Sequence, residues 1–361
     1  MFKSLKRKSM LLTVSVLALG LVAGLVVTGC ETEDEVENGV NGEEEPVELT
    51  FGHPFPAAHH QQEEVIEPFV EEVENESDGR IQITIHPGGA VTDGASAVED
   101  VIAGTVDMGW TMQGYTAGRF PLTEMIELPF LWESASEATE VLWTMYEESD
   151  AMQEEYGEVK VLNLFTTEPG DIYTRETPIQ EPADLEDLEL RVPSRMVEWT
   201  IDELGGDPTS MPMPDVYDAT ERGTVDGLIT GHSAQLSYHL YEVTGYATDN
   251  MGLYVSPQVM FMNQETWESL SEEDQQIIEN ASGKEMALTS AGTYDEQYHG
   301  GYEAMEEGGV EIYALSDEEV ETFREAASPV VDYYIDRLED DGLPGQETYD
   351  LMMDLMEDVR N

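Results

Sequence analysis

Residues 184–227 read DLEDLELRVPSRMVEWTIDELGGDPTSMPMPDVYDATERGTVDG, and this stretch decides the fold. Apolar and polar side chains alternate near its start, at Leu188, Glu189, Leu190, Arg191 and Val192. A period of two is typical of a half-buried strand, so Arg191 is expected on the side away from the apolar residues. Pro193 then ends the strand.

A helix is predicted directly after this strand. Ser194 can cap its N-terminus, and the pair Gly205-Gly206 ends it after Leu204. Arg191 is therefore expected at the carboxyl end of a strand, where open α/β sheets bind ligands and where a helix N-terminus favours anions. The pattern predicts that Arg191 clamps a carboxylate through two hydrogen bonds.

The arginines of this region have alternative interpretations. Arg191 could instead form a structural ion pair with Asp184 or Glu189. Arg175 and Arg195 are second candidates for ligand-binding cations near the same strand end. For each of these two, the alternative is an exposed arginine paired to one of the many carboxylates.

The first 46 residues predict export and anchoring rather than folded structure. A basic segment precedes the apolar run 10–27 and contains Lys3, Lys6, Arg7 and Lys8. Cys30, the only cysteine, follows small residues and resembles the lipobox of bacterial lipoproteins, which implies lipidation of Cys30 and removal of residues 1–29. The alternative is an uncleaved membrane anchor. Residues 30–46 are acidic and almost without apolar side chains, which predicts a disordered tether.

The charge balance excludes several classes of partner. The chain has 78 Asp and Glu against 15 Lys and Arg, a net charge of −63. Nucleic acids and anionic lipid surfaces require cationic patches, so neither is expected to bind. Such a charge fits a protein that folds in concentrated salt, where self-repulsion is screened, and we infer a halophilic source from it.

The rest of the chain alternates strands and helices. Strands are predicted at 47–53 and 80–86, on either side of a helix at 57–74. A helix followed by the residues GTVD and then by a strand occurs twice, with GTVD at 104–107 and again at 223–226. This recurrence indicates two lobes of similar construction, although general α/β sequence grammar could also produce it.

We therefore predict an α/β fold of two lobes with strands that cross between them. Lobe I is expected to comprise 47–168 with about 257–296. Lobe II is expected to comprise 169–256 with about 297–361, including a long helix at 317–341 that braces both lobes.

Several side chains could form or support a site, each with a structural alternative. Trp110, Trp199, Met213, Tyr217 and Tyr254 could wall an apolar pocket, although core packing explains any single one. His59 and His60 with Glu63 and Glu64 have a spacing compatible with a metal, but no third ligand follows and a solvated helix face is favoured. His232 and His239 are expected to be loop or packing residues.

Catalytic signatures are absent from the sequence. No GxSxG, P-loop, GxGxxG, HExxH or CxxC pattern occurs. We therefore expect no enzyme activity, no cofactor and no metal.

Seven segments between Val47 and about Asp341 carry a family likeness: LTFGHPF, GRIQITIHPGG, VIAGTVDMGW, FPLTEMIELPFL, TPIQEPADLEDLELRVPS, LGGDPTSMPMPDVYDATERGTVDG and LYEVTGYAT. With them the chain resembles the extracytoplasmic solute-binding subunits of tripartite ATP-independent periplasmic (TRAP) transporters, the DctP family. It implies a two-lobed fold that closes over one ligand and a permease partner of small and large membrane subunits. It also implies that Arg191 grips the ligand carboxylate. Other pocket positions of the family would fall on His53, Trp110, Gln113, Met213, Thr230, His232 and Tyr254.

The chain departs from this family's pattern at two places. Asp171 stands where the sialic-acid and dicarboxylate binders of the family usually carry a second arginine. Leu228 to Gly231 replace a turn that in those binders often carries a ligand-binding asparagine. We therefore expect a small organic acid with one gripped carboxylate, with Arg175 or Arg195 as a substitute cation. The alternatives are a dicarboxylate, a sulfonate and a zwitterionic compatible solute, whose ammonium group Asp171 could pair with. So does a sensor module of the same fold that transports nothing.

Overall fold

A computed structural model describes residues 45–361. Cys30, the preceding apolar run and most of the acidic segment lie outside this part of the chain. The strands are β1 Val47–Gly52, β2 Ile81–His86, β3 Met108–Met112, β4 Val159–Thr166, β5 Asp171–Thr174, β6 Glu189–Val192, β7 Asp207–Ser210, β8 Gly227–Thr230, β9 Tyr246–Thr248, β10 Pro257–Asn263 and β11 Glu311–Tyr313.

Helices connect and cover these strands. They are α1 Glu67–Glu76, α2 Ala97–Ile102, α3 Ala135–Glu148, α4 Asp150–Glu155, α5 Arg195–Glu203, α6 Val216–Glu221, α7 Ser233–Ser237, α8 Gln264–Ser269, α9 Glu272–Ala281, α10 Lys284–Gly308, α11 Asp317–Ala327, α12 Pro329–Asp340 and α13 Gly345–Arg360. A π-helical turn at Gln62–Ile66 precedes α1, and short 3₁₀ turns include Gln113–Tyr115 and Met213–Asp215.

The strands form two sheets, and we call the parts built on them the first and the second lobe. The first lobe has the order β2-β1-β3-β10-β4 and the second has β11-β9-β5-β8-β6-β7. The chain passes between the lobes after β4 and again before β10. Helix α10 is the longest described helix and contacts elements of both lobes, among them β4 and β11. This architecture confirms the predicted α/β fold class.

The repeated GTVD segment forms the same local structure in each lobe. Gly104 and Gly223 both have φ of 68°, the left-handed region that ends a helix. The aspartate three residues later then binds the neighbouring parallel strand. Asp107 Oδ2 accepts hydrogen bonds from Thr50 N at 2.8 Å and Thr50 Oγ1 at 2.7 Å, and Asp226 Oδ2 accepts one from Glu189 N at 3.0 Å. Each aspartate thus fixes a central strand pair of its sheet.

Strand β6 differs from the half-buried strand that was predicted. Leu190, Arg191 and Val192 are all fully buried. Leu190 and Val192 belong to the core of the second lobe, whereas Arg191 faces the first lobe, which covers the other side of the strand end. Helix α5 starts as predicted, because Ser194 Oγ accepts a hydrogen bond from Val197 N.

The C-terminal segment is the main correction to the predicted elements. The sequence predicted one helix over 317–341, and the structure instead ends α11 at Ala327 and starts α12 at Pro329. Proline lacks the N–H that would continue α11, but it fits the first turn of a new helix. Tyr334 and Met352, from α12 and α13, pack into the core of the first lobe.

Among residues 45–361, no helix is both long enough and apolar enough to cross a membrane.

Candidate functional site

A small cavity of about 30 Å³ lies between the two lobes. Its lining comes from both sheets, from α10 and from the segments that cross between the lobes: Phe55, His59, Met112, Thr167, Glu168, Arg191, Met213, Thr230, Gly231, Ser233, Ala234, Tyr238, Tyr254, Ser256 and Tyr294. A volume of about 30 Å³ is roughly that of one water molecule. The lobes must therefore open to admit an organic ligand, and the lining side chains must shift to hold it when the lobes close.

Arg191 reaches this cavity from the end of β6 and is held by the second lobe. Its Nε donates to the carbonyl oxygen of Met211 at 2.9 Å, and its Nη1 donates to that of Ile229 at 3.1 Å. Its Nη2 is buried and has no hydrogen-bond partner. Two carbonyls thus fix the plane of the guanidinium and leave one N–H edge for a ligand.

The alternative that Arg191 forms a structural ion pair is wrong. No carboxylate in residues 45–361 lies within 4.0 Å of its guanidinium nitrogens. Asp184 Oδ2 accepts instead from the backbone N–H groups of Gln180 and Glu181, and Glu189 Oε1 accepts from Thr209 Oγ1. A buried cation without a counter-ion is costly, so an anionic ligand would be strongly favoured here.

Three buried tyrosines lie close enough to Arg191 for its charge to act on their hydroxyl groups. Burial raises the pKa of Tyr115, Tyr238 and Tyr254, and the positive charge of Arg191 opposes that rise in each case. All three hydroxyls therefore stay protonated near neutral pH and can donate hydrogen bonds. The Tyr238 hydroxyl is buried without a partner, so it can donate to the same anion as Arg191 Nη2.

Aromatic rings form the walls of the cavity beyond Arg191. Phe55, His59, Tyr238, Tyr254 and Tyr294 all line it. His59 lies 6.2 Å from Tyr238 and 6.2 Å from Tyr294 between ring centroids, and so joins the two lobes. Burial lowers the pKa of His59, with nearby His60 and His53 adding to the effect, so the ring is neutral. These flat, uncharged walls suit a planar apolar ligand body.

Glu168 also lines the cavity. Its side chain is buried, and Oε1 accepts a hydrogen bond from Ser233 N at 2.8 Å. Its Oε2 has no partner. Burial raises the pKa of Glu168 to about 7, although the hydrogen bonds from Ser233 and the charge of His232 oppose the rise.

Three contacts close the lobes over the cavity. Met213 N of the second lobe donates to the Tyr115 hydroxyl of the first at 2.9 Å, and Ser194 Oγ donates to Glu127 Oε2. At Gly114 of the first lobe, an added Cβ would lie 2.6 Å from Ser194 Cβ. Glycine is thus required for this approach.

Four of the predicted site residues line the cavity: Arg191, Met213, Thr230 and Tyr254. Three others lie behind its wall. Trp110 stacks on Phe55 with ring centroids 3.9 Å apart and donates to Gln258 Oε1, His53 bonds to Gln62, and Gln113 Oε1 accepts from the Tyr156 hydroxyl. Trp110 Nε1, His53 Nε2 and Gln113 Oε1 are thus paired within the protein, whereas His53 Nδ1 and Gln113 Nε2 are buried without a partner among the described residues.

The remaining predicted residues lie away from the cavity lining. Arg195 is exposed on α5, and Arg175 lines a separate surface groove with Glu176 and Glu221, so neither replaces the second arginine. Asp171 accepts hydrogen bonds from Thr248 Oγ1 and Met251 N, each at 2.8 Å, and is not among the residues that line the cavity.

His232 is buried behind the cavity rather than lining it. Its Nδ1 lies 2.8 Å from the Tyr173 hydroxyl, and its Nε2 lies 3.2 Å from Asp249 Oδ1. The histidine pair His59 and His60 also differs from the solvated helix face that was favoured, since both rings are buried and pack against Tyr294.

Sequence reasoning missed Glu168, Tyr238 and Tyr294. Glu168 lies in the crossing segment after β4, Tyr238 ends α7, and Tyr294 belongs to α10. Glu168 could have been found only from its burial at a crossing point between the lobes, and the sequence does not show that burial. Within residues 45–361, no group of three or more His, Cys, Asp or Glu side chains is placed to hold a metal ion.

Comparison with known proteins places these features in a family. Residues 51–337 match the family described as "Bacterial extracellular solute-binding protein, family 7". A solute-binding protein of Chromohalobacter salexigens is 25% identical over 273 residues, which cover 75% of this chain and 80% of that protein.

Two solved structures are also similar. One is a TRAP solute-binding protein from an unidentified microbe of a marine metagenome, specific for aromatic acid ligands and bound to 3-hydroxybenzoate. The match to it has a TM-score of 0.84 and 30% identity, and it covers 88% of this chain and 100% of the solved chain. The other is a TRAP solute-binding protein from Rhodoferax ferrireducens with benzoate, with a TM-score of 0.83, 27% identity and coverage of 87% and 98%.

Proposed function

The chain belongs to the bacterial extracellular solute-binding proteins of family 7, and we propose that it captures a small aromatic carboxylate and delivers it to a TRAP permease. Members of this family are binding proteins and not enzymes.

The partnerless N–H edge of Arg191 carries this proposal. The guanidinium is buried in a chain of net charge −63, yet its Nη2 has no hydrogen-bond partner. Hydrogen bonds between guanidinium and carboxylate are among the strongest in proteins. A ligand carboxylate at Nη2, joined by the Tyr238 hydroxyl, would satisfy both orphan donors.

The cavity walls favour an aromatic acid over an aliphatic one. Rings from both lobes face the space beside Arg191, and a planar ligand ring could stack on them. The two similar solved proteins bind aromatic acids, which supports this choice. The absence of a second cation among the lining residues opposes a dicarboxylate.

Ligand binding is proposed to stabilise the closed arrangement of the lobes. Arg191 belongs to the second lobe, whereas Phe55 and Met112 belong to the first. A ligand that contacts both groups interacts more favourably with the closed state, and only such a difference can shift the equilibrium. The permease would then distinguish loaded from empty protein by its lobe arrangement.

The cellular setting is also part of the proposal. We infer a lipid anchor at Cys30 on the outer face of the cytoplasmic membrane, with the acidic segment as tether. Concentrated salt would screen the net charge of −63, so the melting temperature should rise with NaCl concentration.

A thermal-shift screen tests the ligand assignment. Benzoate and its derivatives, aliphatic acids, uronates and ectoine are each added to the native chain, to Arg191→Lys and to Arg195→Ala in high salt. An aromatic acid should raise the melting temperature of the native chain and of Arg195→Ala by mass action, but not that of Arg191→Lys. A larger shift with an aliphatic acid, or an equal shift in the Arg191 variant, would refute the assignment.

A further inference from the structure

The carboxyl group of Glu168 is positioned by the backbone that follows β8. Ser233 N holds Oε1, and an ideal Cβ at Gly231 would lie 2.2 Å from the same oxygen and 2.4 Å from Cδ. Any side chain at position 231 would therefore displace the carboxyl group. The glycine and the N–H together form a seat that fits this group and no larger neighbour.

The second oxygen of this carboxyl group has no hydrogen-bond partner within the described part of the protein. Glu168 is 2% exposed, and Oε2 makes no hydrogen bond. Leaving a buried polar atom unpaired destabilises the folded chain, and native proteins rarely contain such an atom without a role. Both residues that seat the group, Gly231 and Ser233, line the cavity, so the carboxyl group lies at the cavity wall.

Arg191 and Glu168 contact backbone positions that lie two residues apart on one segment. Arg191 bonds to the carbonyl of Ile229, and Glu168 lies against Gly231, two residues further along the chain. Two residues of extended chain span roughly 7 Å. A benzene ring with substituents on opposite sides or two carbons apart matches this separation.

We propose that Glu168 accepts a hydrogen bond from a hydroxyl group of the ligand, so that the chain selects hydroxylated aromatic acids over unsubstituted ones. The inference rests on the proposed function, since it assumes that the ligand carboxylate lies at Arg191. Acceptance by Oε2 would satisfy the one oxygen of Glu168 that the protein leaves unpaired. A site built for a hydroxyl discriminates strongly against an analogue that lacks it, because its polar group is then buried unpaired.

Isothermal titration calorimetry in high salt at pH 8 tests this selection. The 3- and 4-hydroxybenzoates are compared with the corresponding fluorobenzoates, which are similar in size but cannot donate a hydrogen bond. For the isomer that reaches Glu168, the native chain should bind the hydroxyl compound about tenfold more tightly than the fluoro compound. In Glu168→Gln the amide nitrogen replaces the acceptor, and the ratio should fall to about threefold or less.

The matched control is Glu155→Gln in the first lobe. Glu155 also has its pKa raised to about 7 by burial, and it accepts hydrogen bonds from Thr123 rather than facing the cavity. This variant should keep the native ratio. Glu168→Asp, which keeps a carboxyl group but withdraws it by one methylene, should also lower the ratio, and it decides the question if Glu168→Gln does not fold.

The outcomes separate this inference from the proposed function. If no benzoate derivative binds the native chain, the aromatic ligand class is wrong. If these acids bind and Arg191→Lys abolishes binding, but the hydroxyl ratio is near one or is unchanged by both Glu168 substitutions, only the role of Glu168 is overturned.

Discussion

The cavity between the lobes is much smaller than the open groove on the other side of Glu168, and the two also differ in the charged side chains that line them. The groove has a volume of about 750 Å³ and the cavity about 30 Å³. The groove is lined by acidic side chains, among them Asp171, Asp249 and Asp295. Its two arginines, Arg324 and Arg360, are each paired with a glutamate, whereas Arg191 in the cavity has no such partner among residues 45–361. By size alone, the groove would be chosen as the ligand site.

The state of the polar groups reverses this choice. Asp171 accepts from Thr248 and Met251, and Asp295 accepts from Ala135 N at 2.7 Å and Ser136 N at 3.0 Å. These two carboxylates already accept hydrogen bonds within the protein and so stabilise the fold. In the cavity, Arg191 Nη2, Tyr238 Oη and Glu168 Oε2 are all buried and unpaired. The cavity is therefore our proposed ligand site, although the groove is larger.

Substitution of Arg191 should have the largest effect on ligand affinity. Arg191→Lys keeps a charge but loses the planar fork that binds two carbonyls and a carboxylate together. We expect affinity for the best aromatic acid to fall by about 100-fold or more, since removing one partner of a buried charged pair costs about 2–5 kcal/mol. Calorimetry measures this, and the melting temperature without ligand shows whether the variant is folded. A loss below about tenfold would contradict the clamp.

Closure of the cavity should be the next most sensitive feature. In Gly114→Val the new side chain would meet Pro193 O and Ser194, which an added Cβ approaches to 3.1 Å and 2.6 Å. The closed state should lose stability, and apparent affinity should fall by about tenfold because fewer molecules can close. Gly292→Ala is the control, since nothing lies within 4 Å of its Cβ position. Equal affinities in the two variants would show that binding does not need this approach.

The raised pKa of Glu168 predicts a pH dependence of stability. Burial raises that pKa to about 7, so the folded chain holds the proton more tightly than the unfolded chain. The resulting stability is fully present below the unfolded pKa, near 4.3, and is lost as pH rises through about 7. The melting temperature of Glu168→Gln relative to the native chain should therefore increase between pH 5 and pH 8, by an amount equivalent to about 1–3 kcal/mol.

Exposed Glu148 supplies the control for this pH series. Glu148→Gln should show a constant difference from the native chain across the same range. A constant difference for Glu168→Gln as well would mean that its carboxyl group is not desolvated in the folded chain.

Substitution in the groove should affect stability and leave ligand affinity unchanged. Asp295 accepts from two backbone N–H groups at the start of α3 and from Ser136 Oγ. Asp295→Ala should lower the unfolding free energy by about 1–2 kcal/mol, as the loss of a helix cap does. Denaturant unfolding and calorimetry measure the two quantities. A tenfold loss of aromatic-acid affinity in this variant would place the ligand in the groove and reverse the comparison.

Sequence reasoning identified the Arg191 end of the cavity because that end is local. The strand, the proline and the helix cap follow one another within residues 188–204, so their spacing alone placed Arg191 at a strand end. Met213 was also a candidate for an apolar pocket wall, whereas Thr230 came from the family resemblance alone. The fold class was predictable for the same reason, since strand and helix patterns are short-range.

Another part of the cavity could not be predicted, because it is assembled from distant segments. Glu168, Tyr238 and Tyr294 meet only when the crossing segment, α7 and α10 pack together. Burial on both faces of β6 likewise arises from the first lobe, which no local pattern of β6 encodes. The break at Pro329 was different, since the proline itself was a visible signal for a helix start.

A crystal structure of the chain with its tightest aromatic acid tests the central claim most directly. The account predicts the ligand ring between the aromatic walls of the cavity and one carboxylate oxygen within hydrogen-bond distance of Arg191 Nη2. A ligand bound in the open groove, or a carboxylate in the cavity directed away from Arg191, would contradict it.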